Sequence, residues 1–300
     1  MITAAPSELA DEELRQLDTQ VEAALSAGDE NALPTLGYGE ISLVLAWPSG
    51  SPTVACKRLP VFPSRGRFDS YQQTLDAYLG ALRAAGIRVV ETEMRAVPRR
   101  DGTVVGYVVQ PILPAETLAP ALLARSDTDT GHPLVAAVVE AAARTVTPRV
   151  GLDAQLDNWA WDEQGLIYFD VSTPMMWTQD GQPMLDLGPL SAAFPWLVRA
   201  PLRRFVAPGI LDTYRDLPGV YLDLCGNLIK QRLEAWLPAF LAEVGSHLAE
   251  PPTDSEVRRY YRRDARLWEL LLRIRRLDRA WQRRVRRRPY PFLLPKDTER

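Results

Sequence analysis

Residues 151–170 read GLDAQLDNWAWDEQGLIYFD. The apolar run Trp159-Ala160-Trp161, the polar Asp162-Glu163-Gln164-Gly165 and the second apolar run Leu166-Ile167-Tyr168-Phe169 form a strand-turn-strand pattern, so the segment predicts a β-hairpin. Asp153 precedes it in a loop, Asn158 stands five residues later at its entry, and Asp170 stands at its exit. A hairpin brings the positions flanking its two strands together. Asn158 and Asp170 would then offer oxygen ligands to one cation, with Asp153 facing them. Each Asp alone reads as an ordinary turn residue. The ordered set calls for a further reason, and that reason lies upstream.

The chain has 35 basic residues, but only Lys57, Lys230 and Lys296 are lysines. Lys57 lies in the apolar strand pattern Val54-Ala55-Cys56-Lys57, in a protein that elsewhere uses arginine. A compact ammonium suits a phosphate as a point charge, whereas a guanidinium demands a planar partner. Before it, Gly37-Tyr38-Gly39-Glu40-Ile41-Ser42 separates two apolar strands. The glycines serve either a hairpin turn or the close approach of backbone amides to phosphate. A nucleoside triphosphate site needs such amides, a cation on the phosphates, oxygen ligands for Mg²⁺ and a carboxylate to orient the attacking hydroxyl. A candidate for each part is present.

The rest of the 300 residues bounds the possibilities. Composition is 46% hydrophobic and 24% charged, as in globular domains, and no apolar run is long enough to span a bilayer. The acidic start MITAAPSELADEEL does not read as a secretory leader, and Cys56 and Cys225 are too far apart in pattern to suggest a disulfide framework. Both features point to a cytoplasmic, reducing setting. His132 and His247 are isolated, without metal-ligand spacing. A helix capped by Ser7 is expected through Ala27, then strands within Leu33–Trp47, a helix over 68–85, strands at 89–97 and 103–110, and helices at 133–145, 218–245 and 256–287.

The chain resembles the protein-kinase-like superfamily, and within it the aminoglycoside phosphotransferase and small-molecule kinase branch. The resemblance covers about residues 33–173 and rests most specifically on Asp153, Asn158 and Asp170 with Lys57 upstream. It implies an α+β, two-lobed kinase-like fold. A small, nucleotide-binding lobe over 30–113 would hold an antiparallel sheet and one helix, preceded by a helical extension over 1–29. A mainly helical large lobe would span 114–300. The resemblance further implies ATP and Mg²⁺ as cofactors, Asp153 as catalytic base, Asn158 and Asp170 as metal ligands, and Lys57 with Gly37, Tyr38, Gly39 and Ser42 on the phosphates. In YVVQPILPAETL, residues 107–118, Gln110 takes the gatekeeper position, while the Pro111 carbonyl and the Leu113 N–H face the adenine.

The sequence departs from the family at several points. Gly151-Leu152 replaces the usual His-Arg or His-Gly, and Val171-Ser172 follows Asp170 in place of Phe-Gly. The helix 68–85 contains no Glu, so Asp76 is the expected partner of Lys57, with Asp69 in reserve. No Ala-Pro-Glu follows Asp170, which separates the chain from protein kinases. The implied activity is Mg²⁺-dependent transfer of the ATP γ-phosphate to a hydroxyl of a small molecule. The alternatives are a non-catalytic nucleotide- or partner-binding module and a kinase for a Ser/Thr-containing precursor peptide.

Net charge is −3, yet residues 256–288 hold 14 Arg against four acidic residues. Apolar positions from Val257 to Val285 fall mostly on one face of this segment. It reads as a helix packed on the body with a solvated basic face, or as a patch for an anionic partner such as nucleic acid, an acidic peptide or a membrane surface.

Overall fold

A computed structural model describes residues 6–27, 29, 33–38, 43–186, 188, 207–287 and 290. Five strands form one antiparallel sheet: β1 (Thr35–Tyr38), β2 (Leu43–Trp47), β3 (Val54–Arg58), β4 (Glu93–Pro98) and β5 (Val104–Pro111), in the order β1-β2-β3-β5-β4. The register pairs Lys57 with Val44 on one side and Val108 on the other, so the lysine sits on a central strand. The alternating burial of β3 places Val54, Cys56 and Arg58 on one face and Ala55 and Lys57 on the other.

Each face of the sheet is covered by a helix. Helix α1 (Asp11–Ala27) lays Leu14, Leu17, Val21 and Leu25 against Leu43, Leu45, Cys56, Tyr107 and Val109. Burying each of these aliphatic side chains contributes about 1.5–3 kcal/mol before entropy is counted. A polar knot crosses the same interface: Tyr107 Oη donates to Asp18 at 2.7 Å, and Arg58 reaches Asp18 at 3.3 Å and Glu22 at 2.5 Å. The first residues differ from the sequence expectation. Ser7 lies in a short 3-10 turn, the α-helix begins at Asp11, and the Ala10 N–H is taken by the Glu13 carboxylate at 2.9 Å. The acid three residues on thus does the capping.

On the other face lies α2 (Arg65–Ala84), capped by Ser64 and ended by Gly86 at φ +78°. Its inward residues Phe68, Tyr71, Leu75, Tyr78, Leu79 and Leu82 recur at three- and four-residue intervals, the spacing of one helix face. They belong to a core cluster that continues into the helical part of the chain. That part comprises α3 (Ala119–Ala124), α4 (Leu134–Thr145), α5 (Ala207–Thr213), α6 (Leu217–Lys230), α7 (Leu237–Gly245) and α8 (Asp254–Arg284). The single helix expected over 218–245 is broken: Arg232 adopts φ 58°, and Pro238 stands at the start of α7, where its missing N–H costs no hydrogen bond. Between α4 and α5 lies the two-stranded hairpin β6 (Trp159–Asp162) and β7 (Gly165–Tyr168), as the opening stretch predicts. Among the described residues no helix is long and apolar enough to cross a membrane. Cys56 and Cys225 are free and buried, and burial pushes both thiols up to about 12.

Candidate active site

The hairpin register pairs Trp159 with Tyr168, so Asn158 directly precedes one strand and Phe169-Asp170 directly follow the other. The Phe169 N–H donates to the Asn158 carbonyl at 3.0 Å, which locks the two flanks together. Asp170 then meets β3. Lys57 Nζ donates to both of its carboxylate oxygens, at 2.8 and 3.0 Å, across 113 residues of sequence. The Ser172 hydroxyl adds a bond to Asp170 at 2.9 Å. Burial pushes the Asp170 carboxyl up, but the Lys57 charge and the hydrogen bonds outweigh it and hold the group below its usual value.

The loop carrying Asp153 is pinned from several sides. Asn158 Nδ2 donates to the Asp153 carbonyl at 3.1 Å, and the Tyr168 hydroxyl donates to the same oxygen at 3.2 Å. The Asp153 carboxylate accepts the Gln155 N–H at 3.2 Å. Two residues before Asp153 the chain has Gly151, and the structure supplies a reason for the glycine. A Cβ at Gly151 would lie 2.7 Å from the Tyr214 carbonyl and 3.0 Å from the Trp177 ring, too close for any side chain. Helix α2 braces the loop: Tyr78 Oη donates to the Gly151 carbonyl at 3.1 Å, and Tyr71 Oη donates to the Ser172 carbonyl. A buried tyrosine at the inner face of a helix usually finds such a partner, and that was the available signal for both.

The sequence-derived partner for Lys57 requires correction. Lys57 is bonded to Asp170 and not to Asp76, which is exposed. Asp69 is engaged by Arg65 at 2.7 Å. The inward stripe of α2 is wholly apolar, aromatic or hydroxylic, so both acids fall out of phase with the sheet. Gln110, at the end of β5, is bound inward: its Nε2 donates to Thr92 Oγ1 at 3.0 Å and to the Phe169 carbonyl at 2.8 Å, tying the end of this interior strand to the residue before Asp170. Pro111 closes β5 opposite Val54, and Leu113 packs on Val90, Ala160 and Ile167. Gly37 and Tyr38 pair with Val44 and Leu43 in β1, whereas Gly39 and Ser42 lie outside the described residues.

Behind the Asp153 loop stands a polar network that the sequence did not disclose. Asp223 on α6 accepts from Gln155 Nε2 and from the Tyr260 hydroxyl of α8, each at 2.8 Å. Asn227, one turn on, accepts the Leu156 N–H at 2.9 Å, and Gln231 and Lys230 reach Asp157 at 2.6 and 3.5 Å. The signal was one-sided: Asp223, Asn227 and Gln231 fall at four-residue intervals, but their targets in the Asp153 loop are more than 60 residues away. Burial, and after it the Asp223 charge, push the Asp153 carboxyl up to about 8. Gln155, Asp223, Asn227, Lys230, Tyr260 and Asp264 contribute to the wall of a pocket of about 70 Å³.

The donor set bears on a metal. Among the described residues no group of three or more His, Cys, Asp or Glu side chains could hold an ion. Asn158 and Asp170 offer hard oxygens only, and Asn158 donates through Nδ2, which leaves its amide oxygen as the ligand atom. Two such oxygens fit Mg²⁺ when phosphate oxygens and water complete the octahedron.

Comparison with known proteins adds the following. No curated protein matches the chain. A solved structure described as "WaaP in complex with acyl carrier protein" aligns over 87% of this chain and 98% of its own, at 11% identity and a TM-score of 0.36. At that score the likeness does not establish a common fold. A family model matches residues 16–279, and the chain belongs to the family it describes, "Family of unknown function (DUF6206)".

Proposed function

We propose that this chain has a two-lobed protein-kinase-like fold and is an ATP-dependent phosphotransferase acting on a hydroxyl of a small molecule. The observation that carries the reading is the lysine of a central strand gripping both oxygens of the acid that follows the hairpin, at 2.8 and 3.0 Å. Lys57 would shift from Asp170 to the nucleotide phosphates, and Asp170 with Asn158 would hold Mg²⁺. The ion supplies charge neutralisation at the phosphates when bound. Gly37 to Ser42 would lie over the phosphates, and the Pro111 carbonyl and Leu113 N–H would face adenine beside Gln110.

The acceptor hydroxyl would approach from the pocket beside Gln155. Its oxygen forms the new bond to the γ-phosphorus, the bond from that phosphorus to the bridging oxygen of ADP breaks, and Asp153 takes the hydroxyl proton. The hydrogen bonds at both ends of the Asp153 loop serve positioning, which dominates this chemistry. A second reading, a nucleotide-binding module without turnover, draws on the burial and the Asp223 charge that push the Asp153 carboxyl up, against the ionised form a base needs.

The deciding experiment follows ATP binding and turnover together. Asp170→Ala should abolish Mg²⁺-dependent thermal stabilisation by ATP. Asp153→Asn should leave ATP affinity nearly unchanged and lower turnover by on the order of a hundredfold or more. Binding unaffected by Asp170→Ala would overturn the nucleotide site, and binding without turnover across a panel of hydroxyl acceptors would favour the module.

A further inference from the structure

Six large apolar side chains are exposed among the described residues, and four of them run from the middle of α8 to just past its end: Leu270 at 54%, Leu277 at 71%, Trp281 at 57% and Val285 at 57%. Steps of seven, four and four residues keep them in one stripe along the helix. The stripe runs roughly 22 Å at 1.5 Å per residue. The helix meets the body through a different face, where Val257, Leu271 and Arg275 are buried. Exposed Arg266, Arg273 and Arg284 follow the stripe along one edge at spacings of seven and eleven residues, and exposed Arg286 and Arg287 stand at its end. Arg273 shares its charge with Glu269.

We propose that this stripe docks the protein on an anionic lipid surface, with Leu270, Leu277, Trp281 and Val285 entering the interface and the flanking arginines on the headgroups. Charge and shape select this occupant. Two copies meeting stripe to stripe would set arginine against arginine. A nucleic-acid backbone has phosphates for the arginines but no place for Leu270, Leu277 and Val285. A peptide ligand is usually taken into a groove, whereas the outer ridge of a single helix is convex and suits a flat surface. Tryptophan within an apolar stripe and arginine along its edge are the composition of interfacial helices. The inference does not depend on the phosphotransferase reading.

The test is sedimentation of the full chain with vesicles of phosphatidylglycerol and phosphatidylcholine in about equal parts, and with phosphatidylcholine alone, at about 50 mM and about 500 mM salt. Binding to the anionic vesicles at low salt is expected, falling on the order of tenfold or more with neutral vesicles or high salt. The double variant Leu277→Glu/Trp281→Glu should lose on the order of tenfold or more, and Arg266→Gln/Arg284→Gln on the order of tenfold. The second pair removes only exposed atoms, so it keeps the test valid if the first variant melts early. Absence of anionic-vesicle binding, or binding unchanged by both variants, overturns the proposal. So does binding to a DNA duplex, or self-association abolished by Leu277→Glu/Trp281→Glu, in a protein that ignores vesicles.

Discussion

Asp153 and Asp170 are both acids in one site, and their surroundings drive them apart. Lys57 holds Asp170 ionised, while burial and Asp223 push the Asp153 carboxyl up to about 8. Between the ordinary value of 3.8 and about 8 the folded chain keeps a proton on Asp153 that the unfolded chain has released. This contribution to stability is complete below the lower value and is lost as pH rises through the upper one. Asp153→Asn cannot ionise, so its melting temperature should gain on the parent by a few degrees between about pH 5 and about pH 8, in paired thermal melts. An offset independent of pH would mean that the carboxyl is ordinary. Gly151 supports a second expectation. Gly151→Ala forces a Cβ to within 2.7 Å of the Tyr214 carbonyl and should cost about 1–3 kcal/mol in urea unfolding. If the proposed nucleotide site holds, Lys57→Ala should weaken ATP binding and Lys57→Arg should not fully rescue it, because the fork is larger and planar.

At the scale of elements, α6 acts as the backing of the Asp153 loop. Asn227 satisfies the buried Leu156 N–H, so Asn227→Ala should cost about 1–3 kcal/mol and, if the chain is the proposed phosphotransferase, reduce turnover more than ATP affinity by loosening the loop. Equal loss of both would indicate general unfolding. Helix α8 approaches α6 closely at Gly226, where the Tyr260 ring lies 3.1 Å from the position of an added Cβ. It starts in a complete capping box, with Thr253 and Glu256 bonded reciprocally, and Thr253→Ala should lower stability by about 1 kcal/mol in chemical denaturation. The caps at Ser64 and Thr253 start their helices at Arg65 and Asp254, ahead of the starts expected at 68 and 256. At Ser7 the reading failed because the helix starts later, where the Ala10 N–H is taken by the Glu13 side chain.

For the whole molecule, α1 is a layer of the fold. It packs on one face of the sheet and carries Asp18 and Glu22, the counter-charges for buried Arg58. Removing residues 1–29 would expose Leu43, Leu45, Tyr107 and Val109 and leave Arg58 without its acids. The shortened chain should lose cooperative unfolding or aggregate, as read by near-ultraviolet dichroism and light scattering. A truncated chain that melts like the parent would make the layer dispensable.

The sequence by itself determined what depends on short separations. The hairpin of residues 159–168, the inward stripe of α2 and the flanking positions of Asn158 and Asp170 follow from local periodicity and turn chemistry, which act over a few residues. Only the tertiary structure decided which acid meets Lys57, because an ion pair across 113 residues depends on how sheet and hairpin pack. The same holds for Asp223, Asn227 and the tyrosines of α2. Their partners are backbone and side-chain groups brought within hydrogen-bonding distance by burial of apolar surface, and apolar burial selects faces rather than particular polar pairs.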